Sequence, residues 1–185
     1  FSLVENIAKN AAERHGSIVQ YYDMKDLGSS LGLAQRVSDL DEHAKKIIDA
    51  MANADALIIG SPVYKGSYPG LFKHFIDLLD PAMLYGKPIL LAASGGGQRH
   101  ALMVEHQLRP LFGFFMAHSL PTAIYASSQD YSEDSKIIST ELLARIDQAV
   151  GEFSPFIDRN SAPILKDYFN PLEQQEFQTK IQEVS

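Results

Sequence analysis

Ala56-Leu57-Ile58-Ile59-Gly60 and Pro88-Ile89-Leu90-Leu91-Ala92-Ala93 are short, wholly apolar runs. A strand with one wet face alternates apolar and polar residues. An unbroken apolar run is expected where helices cover both faces of a parallel sheet. Amphipathic segments flank both runs. Before the first, residues 41–53 place Ala44, Ile47, Ile48 and Met51 on one helical face, with Asp39 and Glu42 spaced as a capping box. Between the runs, Leu71, Phe72, Phe75, Ile76, Leu78 and Leu79 mark another helix, for which Ser67 is the expected cap and Pro69 a first-turn residue. After the second run a helix is expected over about 100–117, with Pro110 inside it. Proline has no amide to donate, so a kink or a π-bulge is predicted near His106.

At the front, Leu3, Ile7 and Ala11 predict a helix ending at His15-Gly16, and Ser17–Tyr22 reads as a short strand. Pro121–Ala126 is a further strand, and residues 139–153 form the last helix. Helices and strands therefore alternate, which argues an α/β fold with a parallel sheet between two helical layers. The pattern requires a strand ahead of the first helix. With it, the chain becomes a flavodoxin-like three-layer α/β/α sandwich around a five-stranded parallel sheet. Residues 1–153 are expected to form this domain. Residues 154–185, with Ile157, Ile164, Leu165, Tyr168 and Phe169, are expected to form an extension docked on the domain or on a partner subunit.

A length of 185 residues suits one domain, and 45% hydrophobic with 21% charged residues is ordinary for a globular chain. The absence of cysteine excludes a disulfide scaffold, a thiolate zinc site and a cysteine nucleophile, and it fits a reducing, cytoplasmic setting. A net charge of −7 argues against general nucleic-acid binding. No membrane span and no signal peptide are expected.

Ligands of open α/β sheets bind beyond the carboxyl ends of the strands. Two unusual loops fall there: Ser61-Pro62-Val63-Tyr64-Lys65-Gly66-Ser67, and Ser94-Gly95-Gly96-Gly97. Successive glycines let backbone N–H groups approach a ligand closely, and each loop precedes a helix whose N-terminus favours negative charge. Each alone is an ordinary connection. Together, at successive strand ends, they point to a site for a flat, hydrogen-bonding ring.

SPVYKGSYPGLFKHFIDLL (61–79) and GKPILLAASGGGQRHALMVEHQLRPLFGFF (86–115) resemble the NAD(P)H-dependent FMN reductases. The resemblance extends over most of residues 1–126. It points in particular to the reductases that serve methanesulfonate and alkanesulfonate monooxygenases. It implies FMN and NAD(P)H as cofactor and substrate, no metal, and a partner monooxygenase that receives the reduced flavin. It also implies a homodimer or homotetramer, with no nucleic-acid or membrane partner. The implied flavin contacts are Pro62, Val63, Tyr64, Lys65 and Ser67 on one side, and Ser94, Gly95, Gly96 and Gly97 on the other. Hydride passes between nicotinamide and flavin, so no protein residue is assigned as catalytic. The family's first strand and its phosphate loop, rich in Ser, Thr and Arg, precede a helix that here begins at Phe1, so no residue of that loop can be assigned.

Lys65, Arg99 and His100 are candidates to meet NAD(P)H, each weighed against a role as a solvated or locally bonded side chain. His106 stands where alkanesulfonate-type relatives carry a tyrosine on a π-bulge at the subunit interface. Leu111, Phe112, Phe114, Phe115 and Met116 are too apolar for one face, which suggests core packing plus oligomerisation. A quinone or azo reductase and a non-enzymatic FMN carrier are the alternatives. A serine hydrolase using Ser94 fits poorly, because Ala92 replaces the first glycine of the nucleophile elbow.

Overall fold

The computed structural model describes residues 2–157. The elements used below are α1 (Ser2–His15), α2 (Glu42–Asn53), β1 (Leu57–Pro62), α3 (Gly70–Asp77), β2 (Pro88–Gly95), α4 (Arg109–Phe114), β3 (His118–Ser119), β4 (Ile124–Ser127), α5 (Thr140–Gly151) and α6 (Ser154–Ile157). β2 is the centre of a parallel sheet. β1 lies along one edge, from Leu57 opposite Ile89 to Pro62 opposite Ser94. β3 and β4 share the other edge, one beside the start of β2 and one beside its end.

Strand periodicity sorts the β2 side chains into two layers. Ile89, Leu91 and Ala93 point into a core with Ile47, Phe72, Ile76, Leu108 and Phe112, beneath α2, α3 and α4. Leu90 and Ala92 point into the other, with Ile7, Ile124, Ile146, Val150 and Phe153, beneath α1 and α5. The expected three-layer architecture is therefore present.

Among the described residues the sheet has four strands. Ser17–Tyr22 forms no ladder, and Ile18 is 97% exposed. A strand exists only where a neighbour takes its backbone groups, and none adjoins this segment among the described residues. Of the strand expected over 121–126 only the end forms, as β4 from Ile124, while β3 lies ahead of Pro121.

Two caps also differ from expectation. Asp41, not Asp39, caps α2 by accepting from the Ala44 amide at 2.9 Å. Asp39 instead accepts from the amides of Gln35 and Arg36. Pro69 stands at the α3 cap position, while Ser67 belongs to the preceding turn. The disturbance foreseen at Pro110 is a π turn over Val104–Leu108, closed by the Arg109 amide donating to the Val104 carbonyl. Ile164, Leu165, Tyr168 and Phe169, with the docking expected of them, lie outside the described residues. Phe156 and Ile157 do pack against the α1–α5 core. No helix of the described residues is long and apolar enough to cross a membrane.

A Cβ on Gly60 would lie 2.2 Å from Val4 Cγ2, so this glycine lets α1 close on β1. Gly60→Ala is expected to lower stability by about 1–3 kcal/mol through overpacking. Val4→Ala in the same chain should restore part of the loss, as read from denaturant midpoints.

In the π turn, Arg109 grips Glu105 through Nε at 2.6 Å and Nη2 at 3.0 Å. The Arg109 hydrogen bond holds the Glu105 carboxyl below its ordinary value of 4.5. A carboxyl lowered in the folded state adds stability above the unfolded value and loses it as pH falls through the folded one. Glu105→Gln should therefore reduce stability at neutral pH and flatten its decline below pH 4.5. Thermal melts across that range check both effects.

Candidate flavin and nicotinamide cleft

Parallel register sets the carboxyl ends of β1 and β2 side by side. The Val63 amide extends the pairing by donating to the Ser94 carbonyl at 2.7 Å. The chain then reverses. Tyr64 and Ser67 exchange backbone hydrogen bonds of 2.7 and 3.1 Å, and Lys65 and Gly66 between them have φ of 52° and 86°. Two successive positive φ values define a tight mirror-image turn. Ser67 Oγ donates to Gln107 Oε1 at 3.2 Å, tying this turn to the π turn.

The three glycines after Ser94 do different jobs. A Cβ on Gly95 would lie 2.5 Å from the Tyr125 hydroxyl and 3.4 Å from Val63 Cβ. Gly95 is therefore a packing glycine. A Cβ on Gly96 or Gly97 would meet nothing within 4 Å, and neither residue is left-handed. Their carbonyls are held from the β4 side: Tyr125 Oη donates to Gly97 at 2.6 Å, and Ser128 Oγ donates to Gly96 at 3.0 Å. In a trans peptide the N–H points opposite to the C=O. The amides of Gly97 and Gln98 are thus turned away from Ser128 and Tyr125. Burial, then the Asp130 carboxylate, holds the Tyr125 hydroxyl above its ordinary value, so it remains a donor.

A cleft of about 630 Å³ opens between the two loops. Val63, Lys65 and Gly66 line it from the first, and Gly96, Gly97, Arg99 and His100 from the second. Among the described residues no carboxylate lines it, although the chain carries −7. Of the residues expected here, Val63, Lys65, Gly96 and Gly97 form the wall. Pro62 and Ser94 face each other in the ladder behind it, and Gly95 is packed under Tyr125. Tyr64 is 63% exposed and Ser67 is turned to Gln107, so neither lines the cleft. Ser94 lies within β2, which continues through Gly95, so it is a ladder residue rather than the serine of an elbow.

Gly66 and the supporting groups Tyr125, Ser128 and Gln107 were not legible as site residues. Tyr125 carried one signal, a hydroxyl near the carboxyl end of an otherwise apolar strand.

The chain matches the model of the NADPH-dependent FMN reductase family over residues 2–132. It is 44% identical to the NADH-dependent FMN reductase SfnF of Pseudomonas fluorescens, over 78% of this chain and 76% of that one. It is 42% identical to an FMN reductase (NADPH) of Pseudomonas aeruginosa, over 75% and 74%. Its structure superposes on an oxidoreductase from Corynebacterium diphtheriae with a TM-score of 0.73 and 31% identity, covering 84% of this chain and 85% of that one. With the paired strand ends and the bare glycines at the expected place, the chain belongs to the NADPH-dependent FMN reductase family.

Proposed function

We propose that this protein transfers hydride from NAD(P)H to FMN, with the flavin ring received in the cleft between residues 63–66 and 96–100. The bare backbone at Gly96 and Gly97 carries the reading. Neither position needs glycine for its φ or for packing, so the space a Cβ would fill is open for a ligand that approaches the backbone closely. In this reading Val63, Lys65, Gly96 and Gly97 form the wall against the ring, while Pro62, Tyr64, Ser67, Ser94 and Gly95 build the strand ends and the turn behind that wall.

The cleft suits a flavin ring chemically. Val63 offers an apolar contact, and the amides of Gly97 and Gln98 are preorganised donors for a ring edge that carries negative charge. Bound FMN supplies the hydride-accepting chemistry, while the chain positions and tunes it. No side chain of the cleft has to gain or lose a proton for hydride to pass.

The same reading includes delivery of reduced flavin to a partner monooxygenase, supported by the sulfonate-branch likeness of residues 61–79 and 86–115. A homodimer or homotetramer is supported by Phe114 and Met116, 69% and 45% exposed just after the π turn. A cytoplasmic location is supported by the lack of cysteine. Docking of the start of the extension, residues 154–157, is supported by the packing of Phe156 and Ile157.

The deciding assay follows reduced-nicotinamide absorbance with the full chain. Turnover is expected when free FMN is added, without any quinone. No absorbance loss with FMN present would leave an electron carrier instead. A second measurement separates site from fold. Gly97→Ala should leave stability within about 0.5 kcal/mol of the parent, since its Cβ meets open space. It should weaken FMN binding by roughly tenfold, equivalent to about 1.4 kcal/mol. Unchanged FMN affinity would remove Gly97 from the ring site.

A further inference from the structure

The ring site uses backbone and apolar surface, which leaves the charges of the cleft unassigned. Lys65, on the turn after β1, and Arg99, on the short 3₁₀ turn after β2, are both exposed and both line it. Ion pairs among the described residues engage Lys9, Arg14, Arg36, Lys45, Lys73 and Arg109, but neither Lys65 nor Arg99. Two uncompensated cations therefore face one cleft in an acidic chain. Arg99 is nevertheless held. Its Nε donates to His100 Nε2 at 3.1 Å. His100 Nε2 is the acceptor of that bond. The bond uses only Nε. The terminal guanidinium nitrogens have no partner among the described residues, and such a fork binds phosphate oxygens in pairs.

We infer that Arg99 and Lys65 grip the pyrophosphate common to NADH and NADPH, with His100 as the positioning residue for Arg99. This rests on the flavin reading. With a flat ring against Val63 and the bare glycines, a nicotinamide stacked outside it brings its phosphates to the mouth, where both cations stand. In both nucleotides the pyrophosphate is closer along the molecule to the nicotinamide than the 2′-position is, so it is the group this stacking brings to Lys65 and Arg99.

The test uses the full chain at saturating FMN, with NADH and NADPH varied separately. Arg99→Gln is expected to raise KM for both nucleotides by roughly tenfold or more, as loss of a charged hydrogen-bond partner does. FMN affinity and kcat should change by less than about twofold. Lys46→Gln removes one exposed positive charge from α2 and should leave both KM values unmoved. His100→Ala should raise KM, and His100→Gln, which restores an acceptor for Arg99 Nε, should recover most of it. An unchanged KM in Arg99→Gln, a rise confined to NADPH, an equal rise in Lys46→Gln, or a loss of FMN affinity in place of the KM effect would each overturn the assignment. If the parent chain oxidises neither nucleotide, the reductase reading fails by itself. The grip is then decided by calorimetric titration of NAD+ and NADP+ into parent and Arg99→Gln, where equal binding refutes it and a matched loss for both supports it.

Discussion

Every residue of β2 from Pro88 to Ala93 is buried, and a peptide group buried there without a partner costs roughly 1–3 kcal/mol. The strand must therefore be paired along both edges. That single requirement arranges most of the molecule. β1 satisfies one edge in unbroken register, while β3 and β4 satisfy the two ends of the other. Because strand side chains alternate, the same pairing divides Ile89 and Leu91 from Leu90 and Ala92, and so fixes which helices lie on which face. It also brings Pro62 opposite Ser94, which puts the two cleft loops next to each other.

The second edge shows what happens where a ladder is interrupted. Leu120 still donates to Ile89 at 2.9 Å, but Pro121 has no amide to give. Side chains from two helices take over the backbone groups that follow. Arg109 donates to the carbonyls of Leu120 and Pro121 at 2.9 and 3.3 Å. The Glu152 carboxylate accepts from the Thr122 amide and hydroxyl at 2.9 and 2.6 Å, and Arg145 donates to the Ala123 carbonyl at 2.7 Å. Arg109 is itself aimed by Glu105 from within the π turn. The π turn therefore has two attachments, one to this broken edge and one, through Gln107 and Ser67, to the cleft loop.

The parts legible in the sequence were those governed by local rules. Unbroken apolar runs identified β1 and β2, helical periodicity identified α2 and α5, and the missing amide of Pro110 identified the π turn. The errors share a cause. Ser17–Tyr22 has strand-like composition but no neighbour among the described residues, and composition carries no information about a neighbour. Ser67 has the chemistry of a helix cap, yet the reverse turn at Lys65-Gly66 bonds it back to Tyr64 before the helix starts. Asp39 and Asp41 have the same side chain, and only the path of the backbone decides which one meets the first free amides of α2.

The triple glycine shows the same limit inside the site. As letters, Gly95, Gly96 and Gly97 are equivalent. In the structure the first is required by the protein, because Tyr125 occupies the space of its Cβ. The other two are not required by the protein at all. The roles are linked, since the close approach permitted at Gly95 is what lets the Tyr125 hydroxyl reach past it to the Gly97 carbonyl. That bond sets the Gly97–Gln98 peptide so that its N–H faces the other way. A packing constraint on one glycine thus orients the amide donor three residues later, on Gln98, and the bare backbone between them leaves room for what that donor would meet.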